Sequence, residues 1–93
     1  MYAIVFEPKA KKAFNKLDPS VRKQVSEALE RRALNPHISS ARLGQNLAGR
    51  YKIKLKKLGL RVIYIVVDSR LLILVIAVGK RENNEVYNLY EED

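Results

Sequence analysis

The sequence predicts an α+β fold of order β-α-α-β-β-β, with a two-helix hairpin packed on one face of a mostly antiparallel four-stranded sheet. Three observations carry that prediction. Residues 51–55 alternate strictly, with Tyr51, Ile53 and Leu55 on one side and Lys52 and Lys54 on the other, as a half-buried strand does. Residues 60–67 and 71–78 are two nearly continuous apolar runs, the pattern of central strands covered on both faces. Before them stand two segments with apolar residues at helical spacing, each opened by a proline. Ninety-three residues are expected to make a single domain, 1–93, with a modest core.

Taken in order, Tyr2-Ala3-Ile4-Val5-Phe6 is a short strand of β-formers, ended by Glu7-Pro8. A first helix is expected over residues 8–16. Ala10, Ala13, Phe14 and Leu17 face inward, and Lys9, Lys11, Lys12 and Lys16 face water. Asp18 reads as the N-cap of a second helix, with Pro19 at its first position. Val21, Val25, Ala28 and Leu29 form its buried stripe, Arg22, Lys23, Glu27 and Glu30 its wet side, and Asn35-Pro36 its stop. The basic residues of both helices read most simply as solvated faces, and His37 as an incidental loop histidine. Residues 37–47 read as a polar loop.

The cationic strand then runs from 49 or 50 to 56, and Lys57-Leu58-Gly59 reverses the chain. Asp68-Ser69-Arg70 is a second turn. Gly79 is expected to break the last strand, and Val86, Leu89 and Tyr90 have the spacing of one side of a short C-terminal helix. Pattern alone does not say where the first strand pairs.

The net charge is +8, and it is unevenly placed. Residues 48–81 hold nine basic side chains and one acidic one, whereas residues 82–93 hold five acidic and none basic. A strand face that carries only positive charge suggests a polyanion partner, because neighbouring like charges repel unless something binds them. The absence of cysteine excludes disulfide and thiolate chemistry, and one histidine without a Cys/His cluster gives no zinc site. The longest apolar run is too short to span a bilayer, so no membrane role is expected. The N-terminus lacks a signal-peptide pattern, and the expected location is the cytoplasm. No metal or other cofactor is expected.

If the meander brings the end of the fourth strand to the start of the Tyr51 strand, then Lys52, Lys54, Arg61, Arg81 and Tyr87 converge on one concave surface. One tyrosine and four cations there would suit a phosphate. Arg61 has an alternative partner in Glu85 or Asp68, and Tyr87 could instead be a packing aromatic, as Tyr64 is expected to be. Arg50, Lys56, Lys57 and Lys80 extend the cationic surface that a polyanion would meet.

Three stretches, Tyr51-Lys52-Ile53-Lys54-Leu55, Gly59-Leu60-Arg61-Val62-Ile63-Tyr64 and Val78-Gly79-Lys80-Arg81-Glu82 with Glu85-Val86-Tyr87, resemble the RelE toxins of bacterial toxin–antitoxin pairs. The likeness spans nearly the whole chain. It implies a ribosome-dependent endoribonuclease that cuts mRNA in the A site of the 70S ribosome, against 16S rRNA, and so inhibits translation. It also implies a RelB-like antitoxin as partner. The family's acting residues match Lys52, Lys54, Arg61, Arg81 and Tyr87, with no departure at those five positions.

Such a cut uses the RNA's own 2′-hydroxyl, which needs a base, a stabiliser of the extra negative charge, and an acid for the leaving 5′-oxygen. Arg61 and Arg81 suit the charge stabilisation. The base is Lys52, Lys54 or Tyr87, with Tyr87 or Lys54 preferred, and Arg81 or Lys52 near the leaving oxygen. Free lysine and tyrosine have pKa values near ~10.4 and ~10. One cation at about 7 Å changes a neighbour by only ~0.4 to 1.7 pKa units. Cations favour ionised Tyr87, whereas bound phosphate works against a neutral lysine. Two other readings are a ParE-like toxin that binds DNA gyrase and has no nuclease site, and a non-catalytic basic RNA-binding domain. The cations at 52, 54, 61 and 81 argue against the first, and the lack of paired exposed aromatics against the second.

Overall fold

Proline opens both helices in the computed structural model, which describes residues 1–38 and 49–80. Strand β1 (Ala3–Phe6) leads into α1 (Pro8–Asn15) and α2 (Pro19–Leu34). Strands β2 (Arg50–Leu55), β3 (Leu60–Val67) and β4 (Leu72–Lys80) follow. Pro8 and Pro19 sit where a missing N–H costs nothing, since the first helical amides have no intrahelical acceptor. Asp18 stands at the N-cap of α2 as expected, but its side chain makes no cap hydrogen bond. The corner between the helices is closed by Arg22, whose Nη1 donates to the carbonyls of Leu17 at 2.6 Å and Asn15 at 3.3 Å. At the far end Asn35 leaves the helix in an extended conformation, as a residue before proline must.

The sheet order is β1-β4-β3-β2, so the two apolar strands are indeed the central pair. β2 runs antiparallel to β3 and β3 antiparallel to β4. β1 joins the free edge of β4 in parallel, Ala3 opposite Leu72 and Phe6 opposite Val75, which makes the sheet mixed. Gly59, at φ 66°, takes the left-handed conformation that ends the Lys56–Leu58 turn. The second turn, Asp68–Arg70, ends on Leu71 at φ 52°, so β4 begins one residue later than the apolar run does. The expectation that Gly79 breaks β4 is corrected. Gly79 pairs with Arg61 and Lys80 with Leu60, and these cross-strand bonds carry the ladder past the glycine.

Both helices pack on one face of the sheet. There Ala10, Phe14, Val25, Ala28, Leu29 and Ala33 meet Tyr51, Ile53, Val62, Tyr64, Ile73 and Val75 in a single core. Lys11 stays exposed but lies 5.0 Å from the Phe6 ring centre and 5.4 Å from that of Phe14, so its charge caps the apolar end of α1. The opposite face has its own smaller cluster of Ile63, Ile76 and Ala77, with Ile65 and Leu74 against it.

One irregularity decides which face later residues occupy. Ile63 pairs with Ala77 but Tyr64 pairs with Val75, so Ile76 is an extra residue in β4. Ile73 and Val75 face the helices before this bulge, and Val78 does after it. The alternation has shifted by one residue. Among the described residues no helix is long and apolar enough to cross a membrane. The expected C-terminal helix and most of the polar loop expected over residues 37–47 lie outside the described residues.

Candidate nucleic-acid interface

Alternation along β2 settles the cationic row. Tyr51 and Ile53 are buried beneath the helices, at 7% and 5% exposure, while Lys52 is half-buried and Lys54 exposed on the other face. Lys52 stands opposite Ile63, which stands opposite Ala77. Lys54 stands opposite Arg61, which stands opposite Gly79. The cations therefore border the second apolar cluster, and the Lys54–Arg61 pair puts two like charges directly across a ladder. Such a pair is intrinsically unfavourable, and a bound anion relieves it. Gly79 contributes no side chain beside the guanidinium.

The register corrects one expectation. The end of β4 reaches Leu60 and Arg61, hence Lys54 and Leu55 at the end of β2, not the start of that strand. In an antiparallel meander alternate strands run the same way, so their ends coincide. Arg50, at the start of β2 and opposite Ile65, lies about 13 Å along the strand from Lys54. Among the described residues its Nε has no hydrogen-bond partner. Lys56 and Lys57 are exposed on the turn after β2. Lys80 is not brought to the row. Its partner Leu60 belongs to the helix-side core, and Lys80 itself borders a cleft with Lys9, Lys12 and Lys16 of α1. Arg81 and Tyr87 lie outside the described residues.

Two residues read as incidental prove to organise the ground behind the row. Arg32 is not a solvated charge. Its Nη1 donates to the Lys52 carbonyl at 2.9 Å and to the Tyr64 hydroxyl at 3.1 Å, and its guanidinium lies 5.8 Å from the Tyr64 ring centre. A helix residue thus grips the backbone of the lysine strand from beneath. The signal was available, since 25, 29 and 32 continue one helical stripe. Tyr64 is fully buried and donates to the Pro36 carbonyl at 2.8 Å, and Tyr51 stacks on it with ring centres 5.4 Å apart. Burial raises the pKa of Tyr64, although the Arg32 hydrogen bond opposes that rise.

His37 links β2 to the turn after β3. Its Nδ1 is 3.1 Å from the Tyr51 hydroxyl and its Nε2 is 2.9 Å from Asp68 Oδ1, which also accepts from the Tyr2 hydroxyl at 2.6 Å. With Nε2–H donating to the carboxylate, Nδ1 is left to the Tyr51 hydroxyl. These two donors hold the Asp68 carboxyl below its usual pKa, the Tyr2 hydrogen bond first. The same bond to a carboxylate raises the pKa of Tyr2. Asp68 is therefore not the partner of Arg61. The two lie at opposite ends of β3, roughly 23 Å apart along the strand.

A family model described as the ParE toxin of type II toxin–antitoxin system, parDE, matches residues 4–85. A RelE-like toxin protein of Escherichia coli is 44% identical over 91 residues, covering 98% of this chain and 95% of that protein. The mRNA interferase toxin RelE of Escherichia coli is 38% identical over 87 residues, covering 94% and 90%. The fold is shared with the toxin in the crystal structure of the intact Escherichia coli RelBE toxin–antitoxin complex. That match has a TM-score of 0.81 at 35% identity, over 86% of this chain and 96% of that one. A sequence match of this length, on the same helix-backed sheet, makes the chain a member of the RelE/ParE family of type II toxin–antitoxin toxins.

Proposed function

We propose that this toxin is an mRNA interferase, a metal-independent endoribonuclease that cleaves mRNA in the A site of the translating ribosome. The observation that carries the reading is the Lys54–Arg61 pair with Lys52 beside it, on the sheet face turned away from the helices. The interferase relative at 38% identity supports the reaction class. Three cations on one face repel a divalent metal and attract a phosphodiester. Ribosomal RNA supplies further phosphates for Arg50, Lys56 and Lys57. A translated substrate places the protein in the cytoplasm.

In this mechanism the 2′-oxygen forms a bond to phosphorus while the bond from phosphorus to the 5′-oxygen breaks. The 2′-hydroxyl proton passes to a base, Tyr87, Lys54 or Lys52, and the departing 5′-oxygen, with Arg81 or Lys52 beside it, takes up a proton as it leaves. Arg61 stabilises the extra negative charge, because its planar fork matches two phosphoryl oxygens. The products are a 2′,3′-cyclic phosphate and a 5′-hydroxyl. A 5′-phosphate product would identify water as the nucleophile and overturn the mechanism.

The partner in this reading is a RelB-like antitoxin, as in the solved RelBE complex. The name of the family model favours one other reading, a ParE-like toxin that binds gyrase and leaves RNA intact. Primer extension on translated mRNA separates the two. Single-turnover cleavage on saturated ribosomes then tests the residues: Arg81→Ala should slow it by roughly two orders of magnitude, and Tyr87→Phe should slow it while ribosome binding persists. Wild-type cleavage by both variants would move the active site off this surface.

A further inference from the structure

Arg32 carries a charge that neither the apolar core nor the RNA face accounts for. It is half-buried on α2, and among the described residues it forms no salt bridge. Taking a guanidinium partly out of water without a carboxylate beside it is unfavourable unless its N–H groups are well bonded.

Two of its hydrogen bonds leave one nitrogen, Nη1. One goes to the Lys52 carbonyl at 2.9 Å and the other to the Tyr64 hydroxyl at 3.1 Å. That hydroxyl commits its own proton to the Pro36 carbonyl at 2.8 Å, so toward Arg32 it can only accept. Arg32 is thereby held between a fully buried tyrosine of β3 and the backbone of β2. Lys52 already stands opposite Ile63 on β3, and this bridge ties it to that strand a second time, through the next residue along.

β2 is an edge strand with β3 on one side only, so part of its backbone has no ladder partner. The Lys52 carbonyl belongs to the peptide that follows Lys52. Fixing it fixes ψ at that residue, and with it the direction in which the lysine side chain leaves the strand on the face away from the helices.

We propose that Arg32 is a positioning residue for RNA cleavage, touching no substrate and acting by holding Lys52 in its reactive orientation. The proposal rests on the ribonuclease reading given above. A displacement of about 1 Å at a reacting group costs on the order of 100-fold in rate, so losing this hold slows cleavage while leaving ribosome binding intact.

A double-mutant cycle on single-turnover cleavage at saturating toxin tests it. Arg32→Met keeps an unbranched stem against Tyr64 and removes both donors. It should slow cleavage about tenfold or more, leave the toxin concentration for half-saturation unchanged, and slow the Lys52→Ala variant no further. Arg32→Lys, which restores a donor and the charge, should recover part of the loss, and it carries the same cycle if Arg32→Met does not fold. The NMR resonance of the Lys52 carbonyl carbon reads the bond independently of activity and should move in Arg32→Met. A full further loss on top of Lys52→Ala would show that Arg32 acts through fold stability alone and would overturn the proposal. So would a wild-type rate in Arg32→Met. RNA left intact by the wild-type chain would overturn the ribonuclease reading, and this proposal with it.

Discussion

Ile53 and Lys54 are neighbours on β2 and belong to different parts of the molecule. Ile53 lies under the helices in a core that includes Val25, Leu29 and Tyr64, whereas Lys54 faces outward across from Arg61. The helix face is held together by apolar contact and by hydrogen bonds whose donors and acceptors meet, such as Arg32 to Tyr64 and Tyr64 to Pro36. The cationic face sets Lys54 and Arg61 directly opposite each other across the ladder, with Lys52 two residues along the same face. Alternation therefore separates the packed face from the face proposed to bind RNA within one strand, and substitutions one position apart should report on different properties.

The largest expected effect is on stability. Ile53→Ala should destabilise the fold by about 2–5 kcal/mol, the usual cost of emptying a packed core position. Lys54→Ala should stay within about 0.5 kcal/mol. Urea denaturation of the two variants checks the contrast, and similar losses from both would break it.

Arg61→Ala reads the comparison from the other side. Cleavage on the ribosome should fall by about 100-fold or more, the scale for losing one charge stabiliser in the transition state. Arg61→Lys should recover only part of this, because it keeps the charge and loses the fork. Single-turnover rates at saturating toxin are the measurement. Full activity in Arg61→Ala would leave the lysine row as a docking surface alone.

Tyr64→Phe should cost about 1–3 kcal/mol, because the Pro36 carbonyl and the Arg32 guanidinium lose a shared partner beneath the strand. If Arg32 holds the backbone at Lys52 through this network, the variant should also slow cleavage. That outcome would sharpen the comparison by showing that the stable face positions the reactive one.

The smallest effect expected is on the acid limb of stability. The folded pKa of Asp68 is lowered by the Tyr2 and His37 hydrogen bonds. Its contribution is therefore present above its unfolded pKa and is lost as pH falls through the folded value. Asp68→Asn should flatten the midpoint of thermal unfolding over that acid range, below the ordinary carboxylate value, relative to wild type. An unchanged acid limb would show that the Tyr2–Asp68–His37 cluster contributes nothing measurable to folding.

Much of this arrangement is written locally. Strict alternation at 51–55 places Lys52 and Lys54 away from the core, because side-chain direction in a strand depends only on parity. The proline helix starts, the Asn35-Pro36 stop and the Gly59 turn are likewise local, each set by the backbone freedom of one or two residues. Two central strands follow from runs too apolar to leave either face in water.

Other features depend on groups far apart in the chain, which no local period encodes. The parallel pairing of β1 with β4 joins residues about seventy positions apart in sequence. The extra residue at Ile76 reverses the parity of β4 and sends Lys80 to the helix side. His37 reads as an isolated loop residue until folding brings Tyr2, Tyr51 and Asp68 around it. Sequence by itself determined that Lys52 and Lys54 turn away from the core. Only the tertiary structure decided what stands opposite them and what holds their strand from behind, because strand register and side-chain hydrogen bonds are properties of the assembled sheet.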